Sequence, residues 1–221
     1  MPHDTIRRRF ACAAMLMLAA TTWLSAQGRG GPATPAPDPT KAQVLTIASG
    51  TTARYRVREQ LAGISFPSDA VGTTQAVTGA LTVHPDGSLT AAKISVDLRT
   101  LTTDQSMRDG YVRDRVLETT KYPTLDLVAK RAIGLPRPLP AGMQAQAGFQ
   151  LVTDMTVHGV TKEVTWNVVA TFGNDSVNGR ATTTVDFATF NLTKPSLARL
   201  LSVDDTINLE IEFRTQRAVA Q

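Results

Sequence analysis

Cysteine is all but absent from this chain. Its 221 residues include one, Cys12, inside an apolar stretch near the N-terminus. Disulfides therefore cannot staple the fold, and a hydrophobic core must hold it together. Histidine is nearly as scarce, and of three residues only His84 and His158 lie beyond the N-terminal stretch. A catalytic zinc usually takes three protein ligands, and two histidines at separate turns offer no such spacing. The chain has no Gly-x-Ser-x-Gly elbow, a common sequence sign of a serine hydrolase. No apolar run reaches the roughly 20 residues that a spanning helix needs, so no permanent membrane span is expected. Aromatics make up 5% of the chain, and no basic face is interleaved with them, which argues against nucleic acid as a partner. The expectation is a non-enzymatic protein without metal or cofactor; a hydrolase with a concealed site is the distant alternative.

What is present begins with an export signal. Arg7, Arg8 and Arg9 form a cationic start, residues 10–24 carry no charge, and Ser25-Ala26 supplies small residues for cleavage. Residues 1–26 are thus expected to be a signal peptide, with the mature protein periplasmic or secreted. Arg-Arg-Arg-Phe faintly resembles a twin-arginine signal, but general secretion is favoured. Cys12 stands too early in the apolar run to be a lipoprotein cysteine and leaves with the signal. Cleavage removes three arginines and Asp4, which lowers the net charge from +4 to +2. The Gly/Pro-rich stretch QGRGGPATPAPDPT opens a linker over residues 27–43 with too little apolar content to pack. N-terminal sequencing of exported protein is expected to begin at Gln27.

From Val44 onward apolar and polar residues alternate. Val164, Trp166, Val168, Ala170 and Phe172 share one face, with Thr165, Asn167, Val169 and Thr171 opposite. Ile207, Leu209, Ile211 and Phe213 likewise alternate with Asn208, Glu210, Glu212 and Arg214. Such period-two runs read as strands with one dry face. The pattern predicts strands near residues 44–48, 53–60, 75–84, 91–98, 124–132, 147–157, 162–172, 178–190 and 205–215, in one domain over residues 44–217. Residues 105–119 have near-helical spacing instead. The fold class is therefore all-β: an antiparallel β-barrel of about eight strands with a short helical insertion, since closure removes exposed edges. About 175 residues suffice for one core.

The apolar faces allow two readings. An eight-stranded barrel either packs solid or holds one small ligand. Leu127, Met155, Trp166, Val168, Phe187, Leu209, Ile211 and Phe213 are the candidates for lining such a space. Arg108, Asp109 and Tyr111 are candidates for its rim. Arg108 and Asp109 could anchor the helix to the barrel, or Arg108 could meet an anionic head group through its planar fork.

Four stretches together carry a resemblance. They are AVGTTQAVTGALTV, ISVDLRTLTTDQSMRDGYVRDRVLETTKYPTLDLVA, LVTDMTVHGVTKEVTWNV and SVDDTINLEIEFR. Their order and spacing resemble the YceI-like family from about Ala53 to Arg214. The resemblance implies a lipocalin-like barrel with a hydrophobic channel for polyisoprenoid-type lipids. The expected partner is a long-chain isoprenoid or another amphiphilic lipid, and a homodimer is left open. Tyr55-Arg56-Val57-Arg58-Glu59-Gln60 stands where many members have a His-rich start, and Leu125-Asp126-Leu127 follows Tyr-Pro where a Phe is usual. The head-group end and the bore of the channel are where this chain is expected to differ. The other reading is a solid-core barrel that binds an envelope protein or serves in stress protection.

Overall fold

The computed structural model describes residues 36–140, 145–196 and 198–220. The expected signal peptide and the first part of the linker lie outside the described residues. Ten antiparallel strands follow: β1 (Gln43–Ile47), β2 (Thr52–Leu61), β3 (Ser68–Thr74), β4 (Val77–Val83), β5 (Leu89–Asp97), β6 (Thr124–Ile133), β7 (Ala145–Val157), β8 (Val160–Phe172), β9 (Ser176–Asp186) and β10 (Leu200–Val219). They pair in the order β1-β4-β5-β6-β7-β8-β9-β10, and β10 pairs back to β1, which closes an eight-strand barrel.

β2 and β3 fit into the same wall. β10 is 20 residues long and pairs with β1 from Thr215 to Val219, then with β2 from Glu212 back to Leu200. β1 and β2 thus share one position in the wall, and β4 and β3 share the next, because β1 pairs β4 and β2 pairs β3. The break between β1 and β2 falls at Gly50, whose φ of +84° suits a residue without Cβ. Thr51 bolts that kink to β10, since its hydroxyl accepts from the Arg214 amide at 2.9 Å.

β3 differs from the sequence expectation, which began a strand only at residue 75. Its inward positions are Ala70, Gly72 and Thr74, too small and polar to register as an apolar face. Gly72 is small for a packing reason: the Tyr55 ring lies over it, where a Cβ would stand 2.2 Å from Tyr Cε1. The expected strand over 178–190 ends at Asp186, and Phe187–Phe190 form a 3₁₀ turn closed by Asn191 at φ 52°. The helical insertion is present as α1 (Ser106–Tyr111), continued by a π-helical turn over Val112–Val116. β7 and β8 are joined by His158 and Gly159 alone, both with positive φ, as a two-residue hairpin requires.

The two barrel ends are built differently. One carries the start of β1, the turns at residues 84–88 and 173–175, and the loop after β6. There Leu45, Val83, Leu135, Phe172 and Val177 belong to one buried cluster. Arg217 ties the last strand to two loops, its Nη1 donating to Pro140 O at 2.7 Å and Gly173 O at 2.9 Å. The other end carries the β2–β3 turn, α1 and the segment after Phe187. Among the described residues no helix is long and apolar enough to cross a membrane.

Candidate functional site

A cavity of about 840 Å³ occupies the barrel half beneath α1. Met155, Trp166 and Ile211 line its inner part. Val57, Val116, Phe187 and Ile207 form a second buried apolar cluster around it, contributed by β2, the π-helical turn, the 3₁₀ turn and β10. Its mouth is bordered by Leu61, Ile64, Met107 and Leu200. Ile64 and Met107 are also solvent-exposed, as are nearby Phe66 and Leu201, so the apolar surface continues outward past the opening.

The residues proposed from sequence divide along the bore. Met155, Trp166, Phe187, Leu209 and Ile211 line the cavity, as do Arg108 and Tyr111 at its rim. Leu127 and Val168 are buried in the packed cluster, and Phe213 packs against it, all three outside the cavity lining. Val168 and Phe213 lie two residues beyond Trp166 and Ile211 toward the closed end, where the core is solid. Phe213 fills space there left by Gly179, whose Cβ would meet the Phe Cζ at 2.9 Å.

Trp166 is 2% exposed, and its Nε1 donates to Thr153 Oγ1 at 3.2 Å. It is the one tryptophan outside the expected signal, so its emission is expected to be blue and to respond when a lipid enters. Thr153→Val leaves the indole N–H without its partner and is expected to cost about 1–2 kcal/mol in denaturant melts. An unchanged midpoint would contradict a structural role for that bond.

Arg108 and Asp109 hold different partners. Arg108 Nη2 donates to Glu59 Oε1 at 2.6 Å and Nη1 to Asp104 Oδ1 at 2.6 Å. The Arg108 and Glu59 side chains are 14% and 9% exposed, so this pair is a sheltered tie between α1 and β2. Asp109 accepts from the Thr103 amide and hydroxyl, both at 2.7 Å, and so fixes the segment entering the helix. Tyr111 Oη faces the Ser196 amide at 3.5 Å. Beyond the helix, Glu118 meets His158 Nε2 at 3.2 Å, and Tyr122 packs edge-on against His158 with ring centroids 4.6 Å apart. The helical insertion is thereby seated on the β7–β8 turn.

Sequence reasoning missed the β2 wall. Tyr55, Val57, Glu59 and Leu61 all line the cavity. The signal lay in the register: alternation along β2 turns Glu59 inward with Val57 and Leu61, and an acid on a dry face needs a partner. Tyr55 is the other polar residue of this wall. Its Oη is sheltered and has no hydrogen-bond partner. Burial pushes the phenol up to about 12, with Arg108 pulling it down and Asp109 and Glu59 adding to the rise.

The YceI-like domain model matches residues 45–215, nearly the whole barrel. The chain belongs to the YceI-like family. Its barrel resembles a polyisoprenoid-binding domain from Saccharophagus degradans implicated in plant cell wall breakdown, at a TM-score of 0.60 and 13% identity, covering 79% of this chain and 98% of that one. Burkholderia cenocepacia BcnA is similar at a TM-score of 0.54 and 15% identity, covering 76% and 96%. The Campylobacter jejuni YceI protein follows at 0.52 and 15%, covering 71% and 90%. At these identities the likeness speaks for the fold. A search of curated proteins finds no match.

Proposed function

We propose that this YceI-like protein is an exported carrier without catalytic activity that holds an isoprenoid or another long-chain amphiphile in its barrel. The observation that carries this reading is the apolar cavity of about 840 Å³, walled by Met155, Trp166, Phe187, Leu209 and Ile211. Burying one five-carbon isoprene unit contributes about 3–4 kcal/mol, at ~0.8 kcal/mol per CH₂-sized group. Several such units exceed the cost of association, which is about 4–15 kcal/mol. Affinity can therefore come from the tail, with few polar contacts. The basic, then apolar, then small-residue N-terminus supports a periplasmic or secreted location.

Organic extraction of purified protein followed by mass spectrometry tests the reading. Close to one long-chain lipid per protein chain is expected. An empty extract, together with no uptake of added prenyl lipids, would reject it in favour of a barrel that works by binding another protein.

A further inference from the structure

The cavity wall is mostly apolar, and one group of polar side chains on it lies beneath α1. There β2 turns Tyr55 and Glu59 inward, and Arg108 reaches toward them from the helix. Nearly all the sheltered polar groups of this lining are already engaged. Glu59 and Arg108 bind each other, and Arg108 also holds Asp104. Thr74 shares a hydrogen bond with Thr100 at 2.6 Å. Trp166 donates to Thr153, and Arg54 donates to Glu210 at 2.6 Å. Among the described residues, Tyr55 Oη is the one sheltered side-chain polar atom of the lining that lacks a partner.

The position of this phenol is built into the wall. Its ring sits in a slot that exists because residue 72 is glycine, and any Cβ there would stand 2.2 Å from Tyr Cε1. Tyr55 is part of the cavity lining and its hydroxyl lies just behind that surface, so a ligand oxygen meets it when the side chain swings about Cα–Cβ. A buried hydroxyl without a partner is costly, and that cost is recovered when an acceptor arrives.

We infer that Tyr55 is the head-group residue of this cavity, donating a hydrogen bond to a neutral acceptor oxygen (ether, alcohol or carbonyl) on the bound lipid. The inference rests on the carrier reading above and adds the chemical class of the ligand's polar end. Its electrostatic support is local. Arg108 is already held by Glu59 and Asp104, and Asp109 stands on the same helix, so the guanidinium beside Tyr55 is not free to take a phosphate. With the raised phenol pKa, Tyr55 is a neutral donor across the physiological range. The lipid's polar end then lies beneath α1 and its tail runs toward Met155 and Trp166.

The test uses four C20 prenyl probes delivered from the same mixed micelles: the hydrocarbon, the methyl ether, the alcohol and the diphosphate. Affinities for wild type and Tyr55→Phe are read from Trp166 emission. Wild type is expected to bind the ether and the alcohol more tightly than the hydrocarbon and the diphosphate. In Tyr55→Phe the ether-to-hydrocarbon affinity ratio is expected to fall about fivefold. Losing the orphaned hydroxyl should also leave the empty variant melting at or above the wild-type Tm, whereas a merely structural tyrosine would lower it. An unchanged ratio, a preference for the diphosphate or a lowered Tm would each overturn the inference while leaving the carrier reading in place. Failure of every probe to bind wild type would remove both.

Discussion

Glu59→Ala is expected to destabilise the protein by about 3 kcal/mol. Removing one member of a sheltered ion pair leaves the other charge uncompensated, which costs far more than the pair itself contributes. Arg108 and Glu59 are 14% and 9% exposed, and their contact is 2.6 Å, so water can replace little of what is lost. The exposed carboxylate of Asp104 stays with Arg108 and keeps the loss from being larger. For a domain of this size, such a loss corresponds to a fall in Tm of about 6–12 °C. Adding Arg108→Met to Glu59→Ala is expected to recover part of the loss, so the double mutant costs less than the sum. Asp109→Ala acts through Thr103, and its coupling to Arg108 is expected to be the weaker one. Additive costs for Glu59 and Arg108 would show that α1 is not tied to β2 through this pair.

Ile211→Glu is expected to lower affinity for every long-chain lipid by at least about 100-fold and to cost more than about 3 kcal/mol of stability. Ile211 is buried on the inward face of β10 and lines the cavity, so a carboxylate there has neither water nor a partner. Asn208→Glu places the same charge on the exposed face of the same strand and is expected to change affinity by less than about twofold. Ile211→Ala separates packing from polarity. It widens the bore at a cost of about 2–4 kcal/mol and leaves an apolar wall that still binds. Equal effects of the two glutamate substitutions would place the ligand outside the barrel.

Much of the wall is legible in the order of residues. From Val164 to Phe172 in β8 and from Ile207 to Phe213 in β10 every second residue is apolar, and that alternation alone turns Trp166, Leu209 and Ile211 inward. The two-residue turn is equally local, because His158-Gly159 sits between two alternating arms and both residues take left-handed φ. β3 is not legible in this way: its inward face is Ala70, Gly72 and Thr74, shaped by the Tyr55 ring across the sheet. Nor is the partner of Arg108. The neighbouring Asp109 is the obvious acid, yet the guanidinium meets Asp104 on one side and, on the sheltered side, Glu59, which is 49 residues away.

The sequence by itself determined the strands other than β3, their dry faces, the helical insertion and the export-like N-terminus, because each depends on residues a few positions apart. The tertiary structure decided where the barrel stops being solid. Val168 and Phe213 share the inward faces of Trp166 and Ile211, yet they pack into the core while their neighbours face open space. Nothing in the alternation distinguishes them. The difference arises because β10 closes on β1 at one end, where Arg217 and the loops draw the core shut, and on β2 at the other, where α1 spans the opening. A cavity is the volume left after all the strands have met, so it belongs to no single stretch of chain.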